Sequence, residues 1–365
     1  MTPLIKEIRH NPLLWLLALV PVVLAAQILK PEAHTTLFLL SVAAIVPLAA
    51  LLSRATESVA AKTGDTIGGL LNATLGNLTE LLIALAALHA GQYVLVKSSI
   101  AGAIVTNALF MLGASFLIGG LNHHVQEYNR NAARLQAGLL FVATVAMVVP
   151  SVLANTEATA TSQKLTQSLS AGLSVLLIAT YGLGLFFSLI THREFFSSVA
   201  HAEEDEVEWP LGLALATLAG VTVLVAFVSE VFVESVQQAA TALGLSPAFV
   251  GFIIVALVGG AAEMASALSA ARKNRLDLSV GIALGSAVQI ALFVAPVLVL
   301  LSYAIGPTPM DLQFGRGVVA MMIIAVMTAS LVTNTGRSAW FIGVLVVIVY
   351  LIFGLTLYLL PPQVQ

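Results

Sequence analysis

The sequence predicts an all-α polytopic membrane protein of about eleven transmembrane helices, one peripheral first helix followed by two inverted five-helix repeats. Three observations carry this. Hydrophobic residues make up 59% of the 365 and charged residues 9%, against roughly 25% charged in an average soluble chain. Apolar runs of span length recur along the whole chain, separated by short polar breaks. A glycine-led stretch with a glutamate inside it occurs twice, GNLTELLIALAAL from Gly76 and GGAAEMASALSAA from Gly259.

The first run follows Lys6, Arg9 and His10 and covers Leu13 to Ala26. That order of charge and then apolar residues is also the order of a secretory signal, but a polytopic chain keeps such a segment as its first span. The expected spans are 12–30, 36–58, 64–89, 97–120 and 135–153, then 170–190, 210–238, 246–271, 276–303, 314–333 and 338–360. With the N-terminus inside, eleven of the fifteen basic residues fall on the cytoplasmic side: Lys6, Arg9, Arg54, Lys62, Arg130, Arg134, Arg193, Arg272, Lys273, Arg275 and Arg337. Lys30, Lys97, Lys164 and Arg316 fall on the other. This asymmetry orients the chain with a cytoplasmic N-terminus and an outside C-terminus, in what is expected to be a bacterial-type plasma membrane.

Laid over each other without gaps, the two glutamate stretches bring Gly76 onto Gly259, Glu80 onto Glu263, Ala84 onto Ala267, Gly102 onto Gly285 and Phe110 onto Phe293. The preceding spans correspond more loosely, Ala55-Thr56-Glu57 with Val228-Ser229-Glu230. The expected units are an extra helix at 1–35, a first repeat at 36–192, an acidic linker at 193–209 and a second repeat at 210–365. Five spans is an odd number, so the repeats enter the membrane from opposite faces, an arrangement that puts a transporter's substrate at the midplane between them. The linker holds Glu203, Glu204, Asp205, Glu206 and Glu208, a solvated block of like charge that binds hard cations at most weakly.

Ionisable side chains inside a span mark function, because the bilayer makes them expensive to keep. Glu80 and Glu263 are flanked by Gly, Ala, Thr and Leu rather than by charges, and the glycines four residues earlier are expected to unwind the helix and free its carbonyls. The next span of each repeat supplies an amide, Asn107 in GAIVTNALF and Gln289 in GSAVQIALF, and Asn77 is a further candidate. Oxygen ligands of this kind suit a hard cation. With no cysteine in the chain and no histidine among these residues, thiolate and zinc chemistry are poorly served. Glu57, Glu230 and Glu234, near span ends, are expected to line the two mouths and draw in cations. His89, His123, His124 and His192 fall in loops. No phosphate loop, nucleophile–base pair or metallohydrolase spacing supports an enzyme, and no long basic patch suggests nucleic acid.

GGLLNATLGNLTELLIALAAL from Gly68, the following Ser99–Gly113 stretch and GGAAEMASALSAARKN from Gly259 resemble the calcium/proton exchangers of the cation/proton exchanger (CAX) family, within the calcium/cation antiporter superfamily. The likeness covers nearly the whole chain after the first helix. It implies a G-N-x-x-E motif in each half with the two glutamates facing each other across the pore, hence Glu80 and Glu263 as the pair that binds the metal and carries the protons. It implies Ca2+ and H+ as substrates, with no permanently bound cofactor. Gly260 and Met264 depart from the Asn and His usual around the second glutamate, which bears on cation preference and coordination rather than fold. The residues leave open the same fold coupled to Na+ or K+, and a cation channel. Self-association is also left open.

Overall fold

The computed structural model describes residues 3–153, 160–192 and 209–359. The linker expected at 193–209 therefore lies, apart from Trp209, outside the described residues.

A short helix, α1 (Pro3–His10), precedes α2 (Pro12–Leu29), which opens as a 3-10 segment. Asn11 caps that segment, its side chain accepting the Leu13 amide, and Pro12 needs no backbone donor there. α2 lies against α3 (His34–Lys62) through Leu14, Val20 and Val23 and is otherwise little buried. The first repeat continues as α4 (Asp65–Leu75), α5 (Leu78–His89), α6 (Tyr93–His123), α7 (Arg130–Leu153) and α8 (Ala160–Phe186). The second runs α9 (Leu211–Ala242), α10 (Pro247–Gly259), α11 (Ala261–Arg272), α12 (Leu276–Ile305), α13 (Arg316–Val332) and α14 (Trp340–Leu359).

Among the described residues, eight helices are long and apolar enough to cross a membrane, or up to ten if each bent pair is one span. Those pairs are the expected third and eighth spans, bent by 41° between α4 and α5 and by 59° between α10 and α11. The first bend falls at Gly76, where glycine was expected to unwind the helix; the second falls at Gly260, one residue past the expected Gly259, which still ends the preceding helical turn. The tenth expected span, 314–333, forms the 17-residue α13, only about 26 Å at 1.5 Å per residue. Eleven crossings are reached only by counting it.

The repeats interlock. α3 packs along α9, with the rings of Phe38 and Phe232 5.4 Å apart. The first half of α6 lies against Val250–Val255 of α10, so close that a side chain at Gly102 would overlap the Phe252 backbone. Without a hydrophobic drive between helices in lipid, such contacts depend on small residues that let backbones approach. Each repeat's last helix then packs on the other repeat: α8 on the π-helical turn Ile290–Val294 of α12, and α14 on the matching turn Thr106–Met111 of α6.

The loops sort onto two faces. On one, β1 (Val125–Glu127) pairs antiparallel with β2 (Arg337–Ala339), Glu127 meets Arg337 at 2.7 Å, Arg130 donates to Asn334 at 3.2 Å and the His123 ring is 2.8 Å from the Arg272 carbonyl. On the other, Lys97 pairs with Asp311 and Tyr93 donates to the Thr308 carbonyl. Basic residues expected to share a face do so at 130, 272 and 337.

Candidate cation site

The breaks put Glu80 in the first turn of α5 and Glu263 in the first turn of α11. Each carboxylate thus sits at the positive end of a half-helix dipole, which favours an anion there. Neither is neutralised locally. Both oxygens of Glu80 and Oε2 of Glu263 are buried without a hydrogen-bond partner among the described residues. A buried carboxylate with unmet lone pairs is costly unless a cation or a proton joins it.

Gly259 lies under Glu80, and Gly260 lies under both Glu80 and Asn107. A Cβ on Gly260 would stand 3.6 Å from Glu80 Oε1 and 3.6 Å from Asn107 Oδ1, so these two oxygens converge over one glycine. Asn107 is turned this way by its own amide, whose Nδ2 donates to Ser286 Oγ at 2.8 Å. Ser286 in turn donates to Asn77 Oδ1 at 2.7 Å. The chain of bonds joins both expected amides of the first repeat to a serine of the second, and all three residues are buried. Gln289 rests against Gly76, where an added Cβ would be 3.3 Å from Oε1, and its Nε2 is buried with no partner.

Access to these groups is one-sided. A cavity of about 360 Å3 has Asn77, Glu263, Gly76 and Gln289 among its lining, and it runs out past Gln136, Ser53, Glu57 and Ser188. That end lies on the face carrying the β1–β2 pair. On its far side Glu80 borders a space of about 10 Å3, walled by Ala84, Ser99, Ala103, Val255 and Ala256 among others. This is barely room for one water. Glu263 thus lines the open cavity, and Glu80 sits behind the Gly259–Gly260 break.

Of the residues expected at the mouths, Glu57 lines the cavity, bonded by Ser53 at 3.0 Å with Arg54 at 3.8 Å. Glu230 and Glu234 line neither space; both are exposed, and Glu234 accepts from Gln27 at 2.6 Å. His89 is exposed at the end of α5, and the His192 ring stacks on Phe187 at 4.2 Å. Among the described residues no three or more His, Cys, Asp or Glu side chains gather into a metal-holding group. The oxygen set is two carboxylates and neutral amides, donor chemistry that suits a hard cation. Ser286 and Tyr181, the latter in the cavity wall, were not singled out from sequence. Ser286 stands one turn before Gln289, but neither it nor Tyr181 is marked by a signal in the sequence.

Residues 33–190 and 213–359 match the family described as sodium/calcium exchanger protein. The chain is 37% identical over 360 residues to a Ca(2+)/H(+) antiporter of Aphanothece halophytica, covering 95% of this chain and 96% of that one. It is 42% identical over 328 residues to the Ca(2+)/H(+) antiporter ChaA of Bacillus subtilis, with 89% and 92% covered. The structure of native YfkE superposes with a TM-score of 0.81 at 37% identity, covering 94% and 98%. The H+/Ca2+ exchanger CAX superposes at 0.72 over 96% and 88% with 15% identity, a likeness of fold alone.

Proposed function

Because the chain belongs to the sodium/calcium exchanger protein family, we propose that it is a secondary active antiporter exchanging Ca2+ for H+ through Glu80 and Glu263. The observation that carries this reading is the pair of carboxylates with buried, unpartnered oxygens, both of Glu80 and Oε2 of Glu263. Two such charges repel each other and lack hydration, so the empty pair favours taking up protons. Ca2+ offsets the same desolvation by neutralising both. Metal and protons therefore compete for the same oxygens. If the helices reorient only once the pair is neutralised, flux of one is tied to counterflux of the other.

Around the pair, Asn107 Oδ1 and Asn77 supply neutral oxygens, with Ser286 holding both amides in register. Gln289 stands across the cavity floor at Gly76. Glu57 attracts cations at the open end. Glu230 and Glu234 are assigned the corresponding role at the opposite face, which is closed in this state. The relatives named as Ca(2+)/H(+) antiporters support the choice of ions, and the dead end at Glu80 favours an exchanger over a continuous pore. The open cavity is assigned to the cytoplasmic side of a plasma membrane, with the N-terminus inside and the C-terminus outside, on the strength of the basic residues.

The test is Ca2+ uptake and internal pH followed together in reconstituted vesicles. An imposed proton gradient should drive Ca2+ accumulation, and a Ca2+ gradient should move protons the other way. Calcium flux with no opposing proton flux would refute exchange, and flux requiring Na+ or K+ would reassign the coupling ion.

A further inference from the structure

Tyr181 of α8 and Tyr350 of α14 stand in matched surroundings across the two repeats. Tyr181 stacks on Phe293 with centroids 5.6 Å apart, and Tyr350 packs on Phe110 at 5.1 Å. Phe110 and Phe293 are matched positions in the repeats, as are Thr106 and Gln289, each one helical turn before its phenylalanine. In the second environment the set is closed: Thr106 Oγ1 donates to the Tyr350 hydroxyl at 3.2 Å. In the first it is open. Gln289 Nε2 is buried without a partner, while the Tyr181 hydroxyl donates to the Ala73 carbonyl. In an unbroken helix that carbonyl would take the Asn77 amide. At the matched position in the second repeat, the Ala256 carbonyl still accepts the Gly260 amide at 3.2 Å.

We infer that Tyr181 and Tyr350 are paired positioning residues that exchange hydroxyl partners as the cavity changes faces. With the cavity open as seen, Tyr181 holds the broken end of α4 and Tyr350 is parked on Thr106. In the opposite state the repeats trade conformations, as inverted repeats do when they alternate access. Tyr181 then takes the Gln289 amide, satisfying the donor left orphaned here, and Tyr350 takes the Ala256 carbonyl. The ring contacts with Phe293 and Phe110 persist in both states and serve as pivots. The inference rests on the exchange reading only in requiring two access states.

Thr106 and Gln289 each contribute to one state alone, which makes the test directional. The chain has no cysteine, so Ser188→Cys in the cavity wall and Ser99→Cys beside the closed space report the two faces by labelling with an impermeant maleimide in calcium-free vesicles. Thr106→Val should slow labelling at 188 and speed it at 99; Gln289→Met should do the reverse. In each case the ratio of the labelling rates at 188 and 99 should shift about five-fold, the change in the equilibrium between the two states from one hydrogen bond of about 1 kcal/mol. In a Tyr181→Phe background Gln289→Met should lose its effect, although these side chains share no bond in this structure. The pair Thr106→Val and Tyr350→Phe gives an independent cycle should a Gln289 variant fail to fold. Shifts in the same direction, no shift, or a Gln289→Met effect that persists undiminished without the Tyr181 hydroxyl overturns the inference. Because labelling is read without calcium, such a result leaves the flux assay to decide the transported ions separately.

Discussion

Gly259 lies directly against the side chain of Glu80: a Cβ at that position would stand 2.9 Å from the glutamate Cγ. The glycine of one glutamate motif therefore makes room for the glutamate of the other. The two stretches recognisable as copies in the sequence are also physical halves of one packing arrangement.

Gly259→Ala should displace Glu80 and cost about 1–3 kcal/mol of local strain, lowering calcium affinity in vesicles by about ten-fold. Gly220→Ala is the control, since nothing lies within 4 Å of a Cβ there. It should transport normally and be slightly more stable, because alanine holds a helix better than glycine. Equal behaviour of the two variants would remove the reason for glycine at 259.

Glu80→Gln and Glu263→Gln keep nearly the same shape and remove one charge each. Calcium would then meet a single carboxylate in a poorly hydrated space, a loss of several kcal/mol after relaxation and more than about 100-fold in affinity. Proton-driven calcium flux and calcium-driven proton flux should fail together. Glu57→Gln, at the open end of the cavity, should slow uptake and leave exchange measurable. A folded Glu80→Gln or Glu263→Gln protein with unchanged, proton-coupled transport would end the assignment of the pair.

Lys97 and Asp311 form an ion pair with side chains only 22% and 23% exposed. Asp311→Asn leaves the ammonium poorly compensated and should destabilise the protein by about 1–3 kcal/mol. A lower midpoint in thermal unfolding from detergent is expected. Replacing both partners by apolar residues of similar size should recover most of it, because the desolvation of two charges is then avoided.

For topology, single cysteines beside Arg130 and Arg272 should both label from the cytoplasmic side. His123 already touches the Arg272 carbonyl at 2.8 Å, so the two loops share a face in this structure. Labelling of both from outside would reverse the orientation drawn from the basic residues.

Much of the architecture could be read from the chain because a membrane leaves few options. Backbone polar groups must be satisfied within each span, so apolar length and polar breaks locate helices, and the matched glycines locate the two broken ones. Glu80, Glu263, Asn107, Gln289 and Asn77 stood out as candidates for a related reason, since polar atoms among Ala, Leu and Val are conspicuous against what lipid tolerates. Three things were decided only by the tertiary structure. Which way the cavity opens depends on how the repeats lean on each other; the two motifs read alike, but Glu263 lines the open side and Glu80 the closed one. Ser286 joins the amides only because α12 crosses beside α5 and α6, and serine is too common in spans for its presence to mark a site. Tyr181 and Tyr350 share their surroundings across the repeats, yet an amphipathic ring carries no sequence signal until its partner Phe, a helix away, is in place. Local chemistry determined what each segment is, and the meeting of segments distant in sequence determined which of them act together.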